Sequence, residues 1–357
     1  MRILYLIGNG FDLHVDLETS YPQFLKYYLN EPIPAGLDDV GKHYIERLKN
    51  DINSNIELWS DLELQFGKHM SKLGKEGKEV HAIEDELDII NDDIREKLSA
   101  YIANQDAHSF FSDDAQKKFL EDIVNPERNL RDYEANIIKQ QRTNVWHTTG
   151  HSVDIITFNY TSTIEHLLGK APVKSAIFEI HEPVHVHGYY NRRMVLGVND
   201  VSQIDNESLR NNPYAVDALV KSDNNHSYGD NHTNACRNLI RNAQLICCYG
   251  LSFGDTDKIW WQLVCEEMKR RGDVYLIIYA YAGEMPNYSN SGHKLQNIMR
   301  LEKEKLLSKG GVEDSLRQQL AQRIFVAIND PIFNIKVLPI RKIDIDSLGS
   351  EGLITES

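Results

Sequence analysis

The sequence predicts an α/β protein: a mostly parallel, Rossmann-like sheet that carries a large helical insertion. Two observations lead to this prediction. Short apolar runs closed by glycine or by polar clusters recur along the chain, and such runs are typical of strands buried on both faces. Segments with apolar residues at helical spacing lie between them, which is the alternation expected of a parallel sheet.

The first predicted strand is Arg2–Ile7, which ends at Gly8-Asn9-Gly10. A helix is predicted over Tyr21–Leu29, with Thr19 and Ser20 as candidates for its N-cap.

A helical segment is predicted from about Asp38 to Gly150, where apolar residues such as Ile83, Leu87 and Ile90 recur at helical spacing. The predicted division is therefore a nucleotide-binding core of residues 1–37 and 151–345, a helical insertion of residues 38–150 and a loose C-terminal tail of residues 346–357.

Strand signals return in the second half of the chain. They predict strands at Val153–Phe158, Val184–Val186, Leu245–Tyr249 and Val274–Tyr281, and a final edge strand at Phe333–Leu338. Helices are predicted between them at Thr163–Leu168 and Ile259–Arg271. The polar segment Asn199–Thr233 is interpreted as a long loop or a partly helical insertion.

Charge and hydropathy exclude several classes of function. With 39 basic and 53 acidic residues the formal net charge is −14, which disfavours non-specific binding to nucleic acid or to anionic membranes. No stretch approaches the roughly 20 apolar residues that span a bilayer, and the first apolar run is too short for a signal peptide. We expect a cytoplasmic protein. The four cysteines, two of them adjacent within an apolar run, do not indicate a disulfide framework.

Four of the predicted strands end in small or polar clusters, beginning at Gly8, Thr157, His185 and Gly250. Ligands of open parallel sheets bind outside the carboxyl ends of the strands, so we expect these clusters to face one crevice. Gly8 and Gly10 would let the backbone approach a phosphate, although a plain glycine turn explains them as well. Hydride transfer is disfavoured, since Leu13 replaces the third glycine of a dehydrogenase fingerprint.

Three histidines, His181, His185 and His187, lie close enough in sequence to suggest a metal site. Pro183 interrupts the strand and no carboxylate pair accompanies them, so we predict no metal. His187 is interpreted as a strand-end catalytic or ribose-contacting residue, and His185 as a structural one.

Other polar residues at the strand ends also have simpler interpretations. Asn159 could cap the next helix, and Asp255 and Asp257 could cap the helix that follows them or bind a ribose hydroxyl group. Trp59 and Glu63, in a Trp-x-Asp-x-Glu pattern, are expected to serve packing more than chemistry.

The strand-end clusters, taken in order, resemble a known family. Gly8-Asn9-Gly10-Phe11-Asp12 with Tyr21, then Thr157-Phe158-Asn159, His187-Gly188, and Gly250-Leu251-Ser252 with Asp255 are similar to the motifs of AbiH proteins, which act in abortive infection against phage. The same order resembles the wider sirtuin-like group, whose fold the resemblance implies for the core.

The sirtuin-like resemblance implies a site for NAD. It assigns the pyrophosphate to the glycine turn, the nicotinamide ribose to Asn159, the role of base to His187, and the adenosine side to Gly250 and Ser252. Catalytic residues are thus expected to be Asn159 and His187, with side chains exposed at the strand ends. The expected ligand contacts are Gly8, Asn9, Gly10, Phe11, Asp12, Tyr21, Thr157, Gly250, Ser252 and Asp255.

Sirtuin deacetylases carry paired Cys-x-x-Cys zinc ligands, and none of the four cysteines has that spacing. The leading hypothesis is therefore an NAD hydrolase that cleaves the nicotinamide–ribose bond and requires no cofactor. Two alternatives remain: a non-catalytic nucleotide-binding sensor or structural component of a defence system, and a nuclease acting on RNA. A phage-derived trigger and a second copy of the chain are candidate partners.

Overall fold

Strand β1, Arg2–Ile7, lies inside a parallel sheet, hydrogen-bonded on one side to β2, His151–Thr157, and on the other to β5, Leu245–Tyr249. The computed structural model describes residues 1–73, 80–147, 150–169, 178–221, 232–283, 292–329 and 332–338. Within these residues the sheet has seven strands in the order β3-β2-β1-β5-β6-β7, with β4 also paired to β2. The other strands are β3 Phe178–Ile180, β4 Val184–His185, β6 Tyr275–Ala280 and β7 Ile324–Ile328.

Helices connect and cover the strands. The α-helices of the described residues are α1 Gly10–His14, α2 Tyr21–Asn30, α3 Asp39–Ser54, α4 Leu62–Leu73, α5 Val80–Asp106, α6 Asp113–Ile123, α7 Asp132–Asn144, α8 Thr163–Leu168, α9 Glu207–Arg210, α10 Pro213–Leu219, α11 His232–Asn242, α12 Lys258–Arg270, α13 Gly292–Lys309 and α14 Asp314–Ala321. Short 3₁₀ turns span Leu58–Ser60, Pro126–Asn129, Val201–Gln203 and Asp255–Asp257.

The predicted fold class, an α/β protein with a Rossmann-like parallel sheet, is confirmed. The five strands predicted between Arg2 and Tyr281 are present; two have the predicted ends, and the ends of the other three differ by at most two residues. Asn199–Thr233 is partly helical, as one of the two interpretations had it, because α9 and α10 lie within it.

The predicted edge strand at Phe333–Leu338 is wrong. The last strand is formed by the apolar run Ile324–Ile328, which pairs with β6. Phe333 has a φ of 55°, which ends any extended run, and its ring packs among Tyr5, Phe11 and Phe119. Burial of that ring, and not sheet pairing, accounts for the apolar residues in this segment.

Alternate residues of a strand point to opposite faces of the sheet, and in this sheet both faces are buried. Ile3 and Tyr5 lie in the core on one face, which is covered by α6 and α7 through side chains such as Phe119. Leu4 lies in the core on the other face, covered by α11 and α12 through side chains such as Trp261.

A third core joins α2 to α3, α4 and α5 and to residues 194–220. Helices are present throughout the described part of residues 38–150, and they pack into two different cores. The division of the chain into domains stays a prediction, and the proposed tail of residues 346–357 lies outside the described residues.

Local signals account for the entry into α2. Ser20 is its N-cap, and the Gln23 side chain accepts a hydrogen bond from the Ser20 backbone N–H while the Ser20 hydroxyl accepts one from the Gln23 backbone. This reciprocal pair is a capping box, and it confirms one of the two predicted capping candidates.

The turn after β1 packs directly on the turn after β5. The Gly8 backbone N–H donates to Tyr249 O at 2.9 Å, and that of Gly10 donates to Gly250 O at 2.9 Å. A Cβ at Gly10 would lie 2.6 Å from the Gly250 Cα. Gly250 itself has a φ of +66°, and a Cβ there would lie 2.5 Å from the Phe11 backbone nitrogen. Only glycine fits this contact.

We predict that Gly250→Ala lowers the free energy of unfolding by at least about 1–3 kcal/mol, because a Cβ would add steric overlap to an unfavourable φ. Urea denaturation provides the measurement. Gly272→Ala is the matched control, since a Cβ at Gly272 meets nothing within 4 Å, and its effect should stay within about 0.5 kcal/mol. Equal stability of the two variants would contradict the packing.

Candidate functional site

Four neighbouring strands end at the same level of the sheet. Ile7 is the register partner of both Thr157 and Tyr249, and Thr157 is also the partner of His185. Polar side chains follow these strand ends: Asp12 after β1, Asn159 after β2, His187 after β4 and Asp257 after β5. The strand-end clusters singled out from the sequence therefore lie along one edge, where parallel sheets bind ligands.

The glycine turn uses its hydrogen-bonding groups within the protein. The Gly8 and Gly10 amides donate to residues 249 and 250 of the neighbouring turn. The Asn9 side chain donates to Thr19 O at 3.1 Å and accepts from the Thr19 hydroxyl at 2.7 Å. Phe11 is fully buried among aromatic rings. These contacts support the interpretation as a structural glycine turn, in which Asn9 holds the segment that precedes α2.

Asp12 is a buried carboxylate on helix α1. Its Oδ2 accepts a hydrogen bond from the Thr161 hydroxyl at 2.7 Å, and Thr161 accepts one from Thr163. Burial raises the pKa of the Asp12 carboxyl group to about 6, although hydrogen bonds from Thr161, Thr163 and Asn159 lower it. Within the described residues Oδ1 has no hydrogen-bond partner, so the carboxylate retains an open acceptor.

Asn159 is 5% exposed and is fixed by its backbone. Its N–H donates to the Thr157 hydroxyl at 3.1 Å, and its carbonyl lies 2.9 Å from Nδ1 of His185. Neither Nδ2 nor Oδ1 of its side chain makes a hydrogen bond of ordinary geometry among the described residues, although the amide lies close enough to the Asp12 carboxylate to lower its pKa. The interpretation as a helix cap is wrong, because the N-cap position of α8 belongs to Ser162.

His187 is 4% exposed, and its Nε2 lies 2.8 Å from Oδ1 of Asp257. Its Nδ1 is buried and has no partner within the described part of the chain. Burial, followed by the nearby charge of Lys221, lowers the pKa of His187 against the opposing effect of Asp257, so the ring is neutral at neutral pH. The expectation that Asn159 and His187 are exposed at the strand ends is wrong, since both lie beneath neighbouring segments.

Three charged residues beside His187 were not among the predicted site residues. Lys221 Nζ donates to Oδ1 of Asp257 at 3.0 Å and to Oε2 of Glu63 at 2.7 Å. Burial raises the pKa of Glu63 to about 7, while Lys221 and His187 hold the pKa of Asp257 well below its usual range in spite of burial. The Trp-x-Asp-x-Glu pattern was a signal for Glu63, but nothing near Lys221 in the sequence marks that residue.

Asp255 and Asp257 have different surroundings. Asp257 precedes α12 but makes no side-chain cap bond, because its carboxylate contacts His187 and Lys221. The Asp255 carboxylate is 49% exposed and binds Lys309 at 2.7 Å. Of the two, only Asp257 joins the buried group around His187. Ser252 is exposed in the same loop.

The remaining predicted contacts lie near this group. Tyr21 is hydrogen-bonded to Tyr160, whose ring centroid is 6.5 Å from that of His187. The Thr157 hydroxyl accepts from the Asn159 backbone, as described above. Whether any of the predicted residues binds a ligand stays a prediction.

His181 and His185 have structural partners. Nδ1 of His181 lies 2.7 Å from Asp154, and Nε2 of His185 lies 2.8 Å from Glu165. The His185 ring also stacks on Tyr189 with a centroid distance of 3.8 Å. In the described ranges no group of three or more His, Cys, Asp or Glu side chains could hold a metal ion. The absence of a required metal stays a prediction.

A family model described as "Bacteriophage abortive infection AbiH" matches residues 4–279, from β1 to β6. The chain belongs to the AbiH family. Membership supports a role in phage abortive infection, and the matched residues include the carboxyl ends of β1, β2, β4 and β5. The wider sirtuin-like grouping stays a prediction. No curated protein matches this AbiH chain. None of its described helices has the length and apolar character needed to cross a bilayer.

The buried Asp12 predicts a pH dependence of stability. Its pKa rises from 3.8 to about 6 on folding, so its contribution is fully present below pH 4 and is lost as the pH rises through 6. The loss amounts to about 3 kcal/mol. Between pH 4 and pH 8, urea denaturation should therefore show Asp12→Asn gaining about that much relative to the wild type.

Asp314→Asn is the control for this experiment, because its side chain is 93% exposed and its ion pair with Arg317 lies at the surface, where such pairs contribute little to stability. Its stability should follow the wild type at every pH. A constant difference between Asp12→Asn and the wild type would show that Asp12 has the same pKa in the folded and unfolded chains.

Proposed function

We propose that this AbiH protein acts in phage defence by hydrolysing NAD at the nicotinamide–ribose bond. The observation that carries the proposal is a set of polar atoms at one sheet edge that lack well-formed hydrogen bonds: Asp12 Oδ1 with the Asn159 side-chain amide beside it, and Nδ1 of His187. Buried polar groups are nearly always hydrogen-bonded, and leaving one unpaired costs about 1–3 kcal/mol. A ligand with several hydroxyl groups would satisfy all of them.

The chemistry of these groups fits a ribose. Asp12 accepts hydrogen bonds and carries negative charge when ionised, while the Asn159 amide both donates and accepts. Ribose hydroxyl groups would donate to Asp12 and to Asn159 Oδ1. As the bond to nicotinamide breaks, positive charge develops on the ribose ring, and a carboxylate nearby would stabilise it.

His187 supplies the base. Its neutral Nδ1 would accept a proton from water as the water oxygen bonds to the ribose C1′ and the nicotinamide leaves with the electrons of the broken bond. The products are nicotinamide, ADP-ribose and a proton. General-base assistance of this kind contributes about 10²–10⁴-fold to a rate.

In this proposal the glycine turn contacts the ribose, whereas the sirtuin-like resemblance implies that it binds the pyrophosphate. Its Gly8 and Gly10 amides already donate to the neighbouring turn, and Asp12 would repel a pyrophosphate beside it. We therefore assign the ribose, and not the pyrophosphate, to this turn.

These same features favour one alternative, a sensor that binds a nucleotide without cleaving it. A closed glycine turn and a deeply buried His187 are compatible with binding alone. An RNA nuclease has less support, because no metal-binding cluster is present in the described residues and the net charge of −14 opposes RNA binding.

We predict that Asn159→Ala and His187→Ala each lose at least about 10²-fold in nicotinamide release from NAD. The double variant should be scarcely slower than either single one, because residues that act on one step are not additive. Release is measured by chromatography of purified protein, with and without extract of phage-infected cells, and nucleotide binding is measured in parallel.

His181→Ala is the matched control, because the His181 side chain is 46% exposed. This variant should leave nicotinamide release unchanged. Because Asn159 and His187 are buried, each variant is also compared with the wild type in thermal unfolding. Full release by a folded His187→Ala protein would remove this histidine as the base. Binding of NAD without release by the wild type would favour the sensor.

A further inference from the structure

A chain of four buried or half-buried ionisable side chains leads from helix α4 to His187. Glu63 lies on α4, Lys221 follows α10, Asp257 precedes α12 and His187 follows β4. The side chains of Glu63 and Lys221 are 6% and 7% exposed, and that of Asp257 is 20% exposed. The contacts run from Glu63 to Lys221 at 2.7 Å, from Lys221 to Asp257 at 3.0 Å and from Asp257 to His187 at 2.8 Å.

The donors and acceptors in this chain determine where the proton of the His187 ring lies. An ammonium group can only donate, so Lys221 donates to both carboxylates. The Asp257 carboxylate can only accept, so the contact at Nε2 of His187 requires hydrogen on that nitrogen. A neutral imidazole carries one hydrogen, so Nδ1 is left with its lone pair.

We propose that Asp257 and Lys221 are positioning residues that hold His187 as its Nε2–H tautomer and thereby leave Nδ1 free to act as the base. Glu63 is the second acceptor of Lys221. The use of Nδ1 as a base rests on the proposed function. The tautomer does not rest on it, since it follows from the shorter of two contacts at Nε2, which lies 2.8 Å from the Asp257 carboxylate and 3.5 Å from the Lys221 ammonium group.

Lys221 has a second effect on His187, because its Nζ lies 3.5 Å from Nε2. The positive charge opposes protonation of the ring, whereas Asp257 favours it. Tyr160 and Tyr21 also face this group, and burial raises the pKa of both hydroxyl groups well above 10. They stay neutral, so the charge on His187 is controlled by Lys221 and Asp257.

Two substitutions should therefore move the titration of His187 in opposite directions. Asp257→Asn removes the charge that favours the imidazolium and lowers the pKa of His187. Its amide can also donate to Nε2, which moves the ring proton to Nδ1. Lys221→Met removes the opposing charge and raises the pKa of His187.

Lys221→Met alone would leave two buried carboxylates without a counter-charge, which is strongly destabilising. It is therefore made in a Glu63→Gln background. Glutamine removes one of the two carboxylates while it keeps the shape of the side chain, and the neighbouring charges that shift the pKa of His187 are those of Lys221 and Asp257. Glu63→Gln alone is expected to fold and to leave that titration nearly unchanged.

The experiment reads the ring nitrogens of His187 directly. Full-length protein is labelled with ¹⁵N-histidine, two-bond ¹H–¹⁵N correlation spectra give the tautomer, and a pH titration gives the pKa. His187→Gln identifies the signal. Lys72→Met is the matched control, because it removes an exposed lysine on the same helix, α4, that is paired to Asp51.

The expected results are an Nε2–H tautomer in the wild type, an Nδ1–H tautomer with a lower pKa in Asp257→Asn, and a higher pKa in Glu63→Gln/Lys221→Met than in Glu63→Gln. Nicotinamide release by Asp257→Asn should fall about 10²–10⁴-fold. A wild-type Nδ1–H tautomer, or shifts of the same sign, would overturn the proposal. The expected spectra without any nicotinamide release would overturn the proposed function and leave the tautomer assignment intact.

Discussion

The positions of Asp12 and Asn159 at the sheet edge depend on the contact between the turns after β1 and β5. Gly10 approaches Gly250 so closely that neither position can carry a side chain. Because the two turns are in contact, the start of α1 lies against the end of β5, and the Asp12 side chain is buried. Since Asp12 is bonded to Thr161, the segment after β2 is fixed by the same contact, and Asn159 lies within that segment. A local backbone requirement thus organises the candidate site.

The polar groups at this edge reduce the stability of the fold. A carboxylate with a pKa raised to about 6 is less stable when ionised than it would be in water, and the open atoms of Asn159 and His187 lack the partners that buried groups normally have. Proteins retain such destabilising buried groups mainly at functional sites. Earlier in the same strands most residues are apolar and buried on both faces of the sheet.

Those features that depend on neighbouring residues were predictable from the sequence. The buried strands are continuous apolar runs, and the capping box before α2 is complete within Ser20–Gln23. Gly8, Gly10 and Gly250 also lie at strand ends, as predicted. The glycine turn after β1 contacts the turn after β5. A phosphate site is only one interpretation of such a motif. The final strand was misplaced because the apolar residues near Phe333 are buried by aromatic packing without forming a strand.

The group around His187 was only partly predictable, because its members are distant in sequence. Asp257 has the sequence context of a helix cap, and Lys221 stands at the end of a polar segment with no motif. Only the fold brings the two together with Glu63. Whether a lysine is solvated or buried between two carboxylates depends on which segments pack over it, and periodicity along one segment carries no information about that.

The position of β1 inside the sheet has a consequence for biosynthesis. Ile3 is synthesised well before its strand partners, Val153 and Leu245. Pairings so distant in sequence form slowly. The nascent chain must also extend past Asp257 before His187 has its carboxylate partner. The contact between His187 and Asp257 therefore forms only after translation has passed residue 257.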